Sequence, residues 1–142
     1  MENNYQAWVD YGTLAVLGVM GFIALFLTIE RVLRFKTLEP AQFEEKEALE
    51  IEASKNLATI ATIGSNAPYV GLLGTVFGIM LTFYAIGQEG LAQTNEVMIG
   101  LALALKATAL GLVVAIPSMI AYNLLVRKTE VIIAQWEMQQ RR

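Results

Sequence analysis

Hydrophobic and charged positions are sharply segregated along the chain. Three stretches, Gly12–Ile29, Tyr69–Gly87 and Val97–Val126, are almost free of charge, and charged residues crowd into the gaps between them. A bilayer core about 30 Å thick needs roughly 20 apolar residues in a helix, so the first two stretches suit one crossing each. The third is longer than one crossing requires, and its surplus is expected to leave the membrane as a continuing helix. The pattern predicts an all-α membrane protein with three transmembrane helices over 12–29, 67–87 and 97–120. Between and around them lie an N-terminal piece at 1–11, a charged helical segment at 30–66, a polar turn at 88–96 and a helical tail at 121–142.

Basic residues orient these crossings, because Lys and Arg are disfavoured on the translocated side. Arg31, Arg34, Lys36, Lys46 and Lys55 follow the first span, and Arg127, Lys128, Arg141 and Arg142 follow the third. The N-terminal piece and the turn at 88–96 contain none. The expected topology is therefore N-terminus outside and C-terminus inside, with long cytoplasmic helical extensions. Glu2 and Asp10 without any early Lys or Arg do not fit a cleaved signal, so the first span is expected to be retained.

Finer pattern predicts local features. Over Ala41–Ala61, Phe43, Leu49, Ile51, Leu57, Ile60 and Ile63 interleave with Glu44, Glu45, Glu47, Glu50 and Glu52, which reads as a helix. It either only connects two spans as a solvated acidic rod or packs its apolar face on cytoplasmic extensions. Ser65-Asn66-Ala67-Pro68 resembles a helix start, since Ser or Asn caps and Pro is tolerated in the first turn. Pro117 is expected to kink the third helix and free the carbonyl of Val113. Beyond it Leu124, Val131 and Met138 recur every seven residues, beside Leu125, Ile132 and Trp136, as in a helix packed on others.

Composition narrows the chemistry. The chain has no Cys and no His, which removes thiolate nucleophiles, disulfides and the commonest general base and metal ligand. A net charge of −3 provides no basic footprint for nucleic acid. An enzyme is not expected, nor any metal or cofactor.

Small and polar residues inside the spans are the candidates for function. Gly71, Gly74 and Gly78 in the second span, and Ala107, Gly111 and Ala115 in the third, form stripes that let helices approach closely. Thr75 and Thr82 share a face with Gly71 and Gly78, and Thr108 shares one with Gly111 and Ala115. Asn123 lies about 60° further round at the cytoplasmic end. These polar residues either line a water-accessible path or bond their own helix backbones. Lys106 is the one ionisable residue deep in a span, and no acid of the chain is expected at its depth. It either snorkels outward or meets a counter-charge on another chain. A proton path through hydrocarbon usually needs a titrating carboxylate or His, which these spans lack; if the chain conducts protons, a partner must bring the carboxylate and these spans supply only the wall.

Two segments carry a family resemblance. NAPYVGLLGTVFGI from Asn66, and ALKATALGLVVAIP from Ala104 followed by AYN at 121–123, resemble the paired motifs of the ExbB/TolQ/MotA proton-channel proteins in order and spacing. The short cytoplasmic segment resembles the ExbB and TolQ branches, ExbB first, rather than MotA. The resemblance implies an inner-membrane motor subunit driven by the proton motive force. It would form a pentameric ring around ExbD-type helices carrying an Asp, and act on a TonB-type protein. By motif position Thr75 and Thr108 match the threonines facing that Asp. Many relatives have Glu five residues before the second threonine, where this chain has Leu103, so a proton route through that Glu is not available here. A Tol-Pal role is the alternative within the family. Outside it, a multidrug-type transporter would need an intramembrane acid, and a bare scaffold would leave the threonines to packing alone.

Overall fold

The structure, a computed structural model, describes residues 2–89 and 94–142. Residues 90–93, the middle of the expected turn at 88–96, lie outside them; 88–89 and 94–96 belong to the flanking helices. Four α-helices and one short 3-10 turn make up the described chain: α1 (Glu2–Thr37), the turn Pro40–Gln42, α2 (Lys46–Ala53), α3 (Leu57–Glu89) and α4 (Thr94–Gln140). α1, α3 and α4 are each long and apolar enough to cross a membrane. The chain is an all-α, multi-pass membrane protein. With 47 residues, α4 extends about 70 Å at 1.5 Å per residue, more than twice a hydrocarbon core.

α3 and α4 form an antiparallel hairpin, and α1 lies along it, parallel to α4. Two kinds of packing divide this bundle along its length. In the apolar half the contacts are made by small residues: Gly71, Gly74 and Gly78 on α3 meet Ala104, Ala107 and Gly111 on α4, and Gly100 meets Thr82. Leu17 of α1 closes this part against Ala67 and Ala115. Lipid gives apolar side chains no reason to desert it, so close backbone approach is what holds helices together there. In the charged half, large side chains take over. Leu49, Ile132 and Trp136 form one buried cluster, and Leu57, Ile60 and Leu125 another, with Phe35 packed against both. Here water drives burial, at about 1.5–3 kcal/mol for each large apolar side chain.

Several local expectations are corrected. The helix expected over 41–61 is broken: α2 ends at Ala53, and a turn through Asn56, at φ 67°, starts α3 at Leu57. Asn tolerates this left-handed conformation better than most residues. α2 is not a free acidic rod, since Leu49 and Ala53 are fully buried, though Ile51 faces outward at 72% exposure. Ser65–Pro68 does not start a helix, because α3 runs straight through it. Asn66 Nδ2 and Ser65 Oγ donate backward to the Thr62 carbonyl instead of capping forward. Packing of Ile60, Gly64 and Ala67 into the bundle outweighs the local breaker. The tail packs as expected through Leu125, Ile132 and Trp136, joined by Thr129, but Leu124 and Met138 of the seven-residue stripe are exposed. α4 remains helical on both sides of Pro117.

Candidate functional site

The α3–α4 seam begins from glycine. A methyl group on Gly71 would stand 2.6 Å from the Ala107 carbonyl oxygen, and one on Gly78 would stand 2.8 Å from the Ala104 Cβ. Gly74 is the junction of three helices, where a methyl would meet Thr13 Cγ2 at 2.7 Å and Ala107 Cβ at 3.0 Å. All the helix-packing residues named from sequence, Gly71, Gly74, Gly78, Ala107, Gly111 and Ala115, are buried here.

This close approach brings Thr75 and Thr108 together. Thr75 is 6% exposed, and its hydroxyl lies 2.8 Å from the carbonyl oxygen of Ala104 on the neighbouring helix and 3.2 Å from that of Gly71 on its own. Its oxygen is also in a short hydrogen bond with Thr108 Oγ1. Thr108 is only partly buried, so it is the more accessible member of the pair. Thr82 is buried further along the seam, donates to its own Gly78 carbonyl at 2.9 Å and packs on Gly100. Asn123 is exposed on α4, beyond Ser118, whose hydroxyl bonds the Val114 carbonyl at 2.7 Å.

Lys106 is exposed on α4 and has no ion pair within salt-bridge distance among the described residues. The acid that acts with it is Asp10 on α1, just before the first apolar stretch, whose carboxyl feels the Lys106 charge without forming an ion pair with it. Sequence reading missed this because α1 and α4 run side by side, which only tertiary packing reveals. Leu103 is 45% exposed.

Two polar anchors on the charged side were also missed. Arg31 is 1% exposed, donates from Nη1 to the Glu52 carbonyl at the end of α2 at 2.7 Å, and forks onto Glu30 through Nε and Nη2. The Arg31 hydrogen bond holds the Glu30 carboxyl below its ordinary range. Trp136 Nε1 donates to the Phe43 carbonyl at 3.0 Å, and Lys46 pairs with Glu137 at 2.6 Å. That pairing lowers the Glu137 carboxyl and raises the Lys46 ammonium. Read from sequence, Arg31 counted only toward topology. Its burial follows from α2 folding back over the end of α1.

Comparison with known proteins agrees with this architecture. Residues 28–138 match the model of the MotA/TolQ/ExbB proton channel family. The chain is 57% identical over 137 residues to the biopolymer transport protein ExbB of Aquifex aeolicus, covering 96% of this chain and 93% of that one. It is 49% identical over 129 residues to a putative biopolymer transport protein, ExbB-like 2, of Helicobacter pylori, covering 91% and 86%. The Tol-Pal system protein TolQ of Pseudomonas aeruginosa is more distant, at 43% over 108 residues, covering 76% of this chain and 44% of that protein. With its paired threonines set in a glycine-packed hairpin, this chain belongs to the MotA/TolQ/ExbB proton channel family, on the ExbB side.

Proposed function

We propose that this chain is the wall-forming subunit of an inner-membrane motor of the ExbB–ExbD type, converting the proton motive force into work on a TonB-type protein. The observation that carries this reading is the Thr75–Thr108 pair, a polar site held between α3 and α4, neither of which has an Asp, Glu or His at its level. A site of that kind serves a carboxyl supplied from elsewhere. The ring is a homo-oligomer, pentameric by the family resemblance, and surrounds single-span partner helices that each bring an Asp. The path passes Thr82 on its outer side and leaves toward Asn123 on the cytoplasmic side. The N-terminus lies outside and the tail inside, as the basic residues require. A Tol-Pal assignment is the second reading, supported by the TolQ match but at lower identity and coverage.

The test is energy-dependent outer-membrane uptake in cells carrying Thr75→Val or Thr108→Val. Uptake is lost while the complex with the partner still purifies intact. Full uptake by both variants would refute the wall assignment.

A further inference from the structure

A threonine hydroxyl has one proton to donate and lone pairs that accept. The two protons of the Thr75–Thr108 pair can therefore be assigned. The Ala104 carbonyl can only accept, so the 2.8 Å contact between it and Thr75 Oγ1 contains the Thr75 proton. Otherwise two oxygens would face each other through lone pairs inside a buried seam, at a desolvation cost that such sites avoid. Thr75 Oγ1 is then left to accept, and the short bond between the hydroxyls contains the Thr108 proton.

The position of Ala104 makes this arrangement unusual. Ala104 is four residues before Thr108, so its carbonyl is the one Thr108 would ordinarily bond. Thr28, Thr82 and Ser118 all bond their own helix in this way. Thr75 reaches across from α3 and occupies that acceptor, turning the Thr108 hydroxyl toward itself. Both protons are thereby taken, Thr75's by the Ala104 carbonyl and Thr108's by Thr75 Oγ1. Among the described residues, no group donates to Thr108 Oγ1.

Resting on the wall reading above, we infer that the pair presents an acceptor-only oxygen, Thr108 Oγ1, which selects the protonated form of the partner's carboxyl. A carboxylic acid donates one hydrogen bond and fits this oxygen, whereas a carboxylate has only acceptors to offer and meets lone pairs. Few charges of this chain compete. Between Lys55 and Glu89, α3 has no Asp, Glu, Lys or Arg, and its phenols at Tyr69 and Tyr84 face outward. α1 has no charge between Asp10 and Glu30. On α4, Lys106 is two residues from Thr108, about 200° round the helix. The wall thus favours the neutral carboxyl when it docks. Release of the proton requires that carboxyl to leave the pair.

The test uses the full chain with its Asp-bearing partner in lipid nanodiscs. The infrared C=O band of the protonated carboxyl is followed against pH and assigned by an Asp→Asn change in the partner. Thr108→Val shifts the ratio of protonated to ionised carboxyl about tenfold toward the ionised form at the wild-type midpoint. Thr108→Ser, which keeps the hydroxyl, restores it. If valine prevents assembly, Thr108→Ala carries the same expectation. A midpoint that stays in place or rises in the hydroxyl-free variant, while the band's frequency still shifts, overturns the inference and leaves the wall assignment standing. A carboxyl band that neither Thr75→Val nor Thr108→Val perturbs in frequency or midpoint overturns both, because the carboxyl then does not meet the pair.

Discussion

Gly71 on α3 and Gly111 on α4 face each other with only hydrogen between their backbones. A methyl on Gly71 would lie 3.1 Å from the Gly111 Cα, and one on Gly111 the same distance from the Gly71 Cα. The obstacles on both sides are backbone atoms, including the Ala67 carbonyl oxygen at 2.7 Å from the Gly111 position, and cannot rotate aside. This contact sets the separation at which Thr75 reaches the Ala104 carbonyl.

Gly71→Ala and Gly111→Ala are therefore expected to force the hairpin apart, destabilising it by about 1–3 kcal/mol and breaking the Thr75–Ala104 bond. Thermal unfolding of the purified complex and proton flux should fall together. Gly18→Ala is the control, since nothing lies within 4 Å of an added methyl there. A Gly71→Ala complex as stable as the control would show that the seam is looser than described.

The buried threonines should separate by where their hydroxyls bond. Thr75→Val removes an interhelical bond and costs about 1 kcal/mol of stability. Thr82→Val loses only a bond to its own Gly78 carbonyl and is expected to cost less, with flux reduced far less than in Thr75→Val. Side-by-side melts and flux measurements in proteoliposomes check this order.

Arg31→Lys keeps the charge but loses the fork that joins Glu30 to the Glu52 carbonyl. We expect a loss of about 1–3 kcal/mol, confined to the docking of α2. Hydrogen exchange should rise over residues 46–53 while the α3–α4 seam stays protected. Uniform exchange throughout would mean that Arg31 supports the whole bundle.

Trp136→Phe retains most of the ring burial in the Leu49–Ile132 cluster but loses the bond to the Phe43 carbonyl, at about 1 kcal/mol. Trp136→Ala also opens a cavity and is expected to cost about 3–5 kcal/mol. Proteolysis of the segment between α1 and α3 reads both effects.

Acid and base should each loosen the charged end of the bundle, where α2 docks. Glu30 and Glu137 are held below the ordinary value of 4.5, so their contribution is full above that pH and is lost as pH falls through the lowered values. Lys46 is raised above 10.5, so its contribution is full below that pH and is lost as pH rises through the raised value. The emission of Trp136 in a Trp8→Phe background should shift to the red at both extremes and stay constant between. High salt should weaken the exposed Lys46–Glu137 pair at neutral pH without undocking α2, because the apolar cluster remains.

How much could be read in advance differs between the two halves of the molecule. In the apolar half, long charge-free runs dictate helices whatever they pack against, because unpaired backbone groups are too costly in lipid. Glycine and alanine at four-residue spacing then marked the faces that meet, and Thr75 and Thr108 were legible on those faces. In the charged half, local signals misled. The Ser65–Pro68 start signature lost to the packing of Ile60, Gly64 and Ala67, and the Leu124–Val131–Met138 stripe lost to its neighbour. Short amphipathic patterns leave more than one register available, and the partner surface chooses among them.

Sequence by itself determined that this chain is helical, that three of its helices are long and apolar enough to cross a membrane, and which family it resembles. Those properties depend on composition over tens of residues, which no single contact alters. Only the tertiary structure decided that Thr75 takes the carbonyl Thr108 would otherwise use, that Arg31 is buried and bonded to the end of α2, and that Trp136 reaches the Phe43 carbonyl. Each of these joins residues far apart in the chain, with the geometry set by a backbone separation that glycine permits and no local pattern encodes.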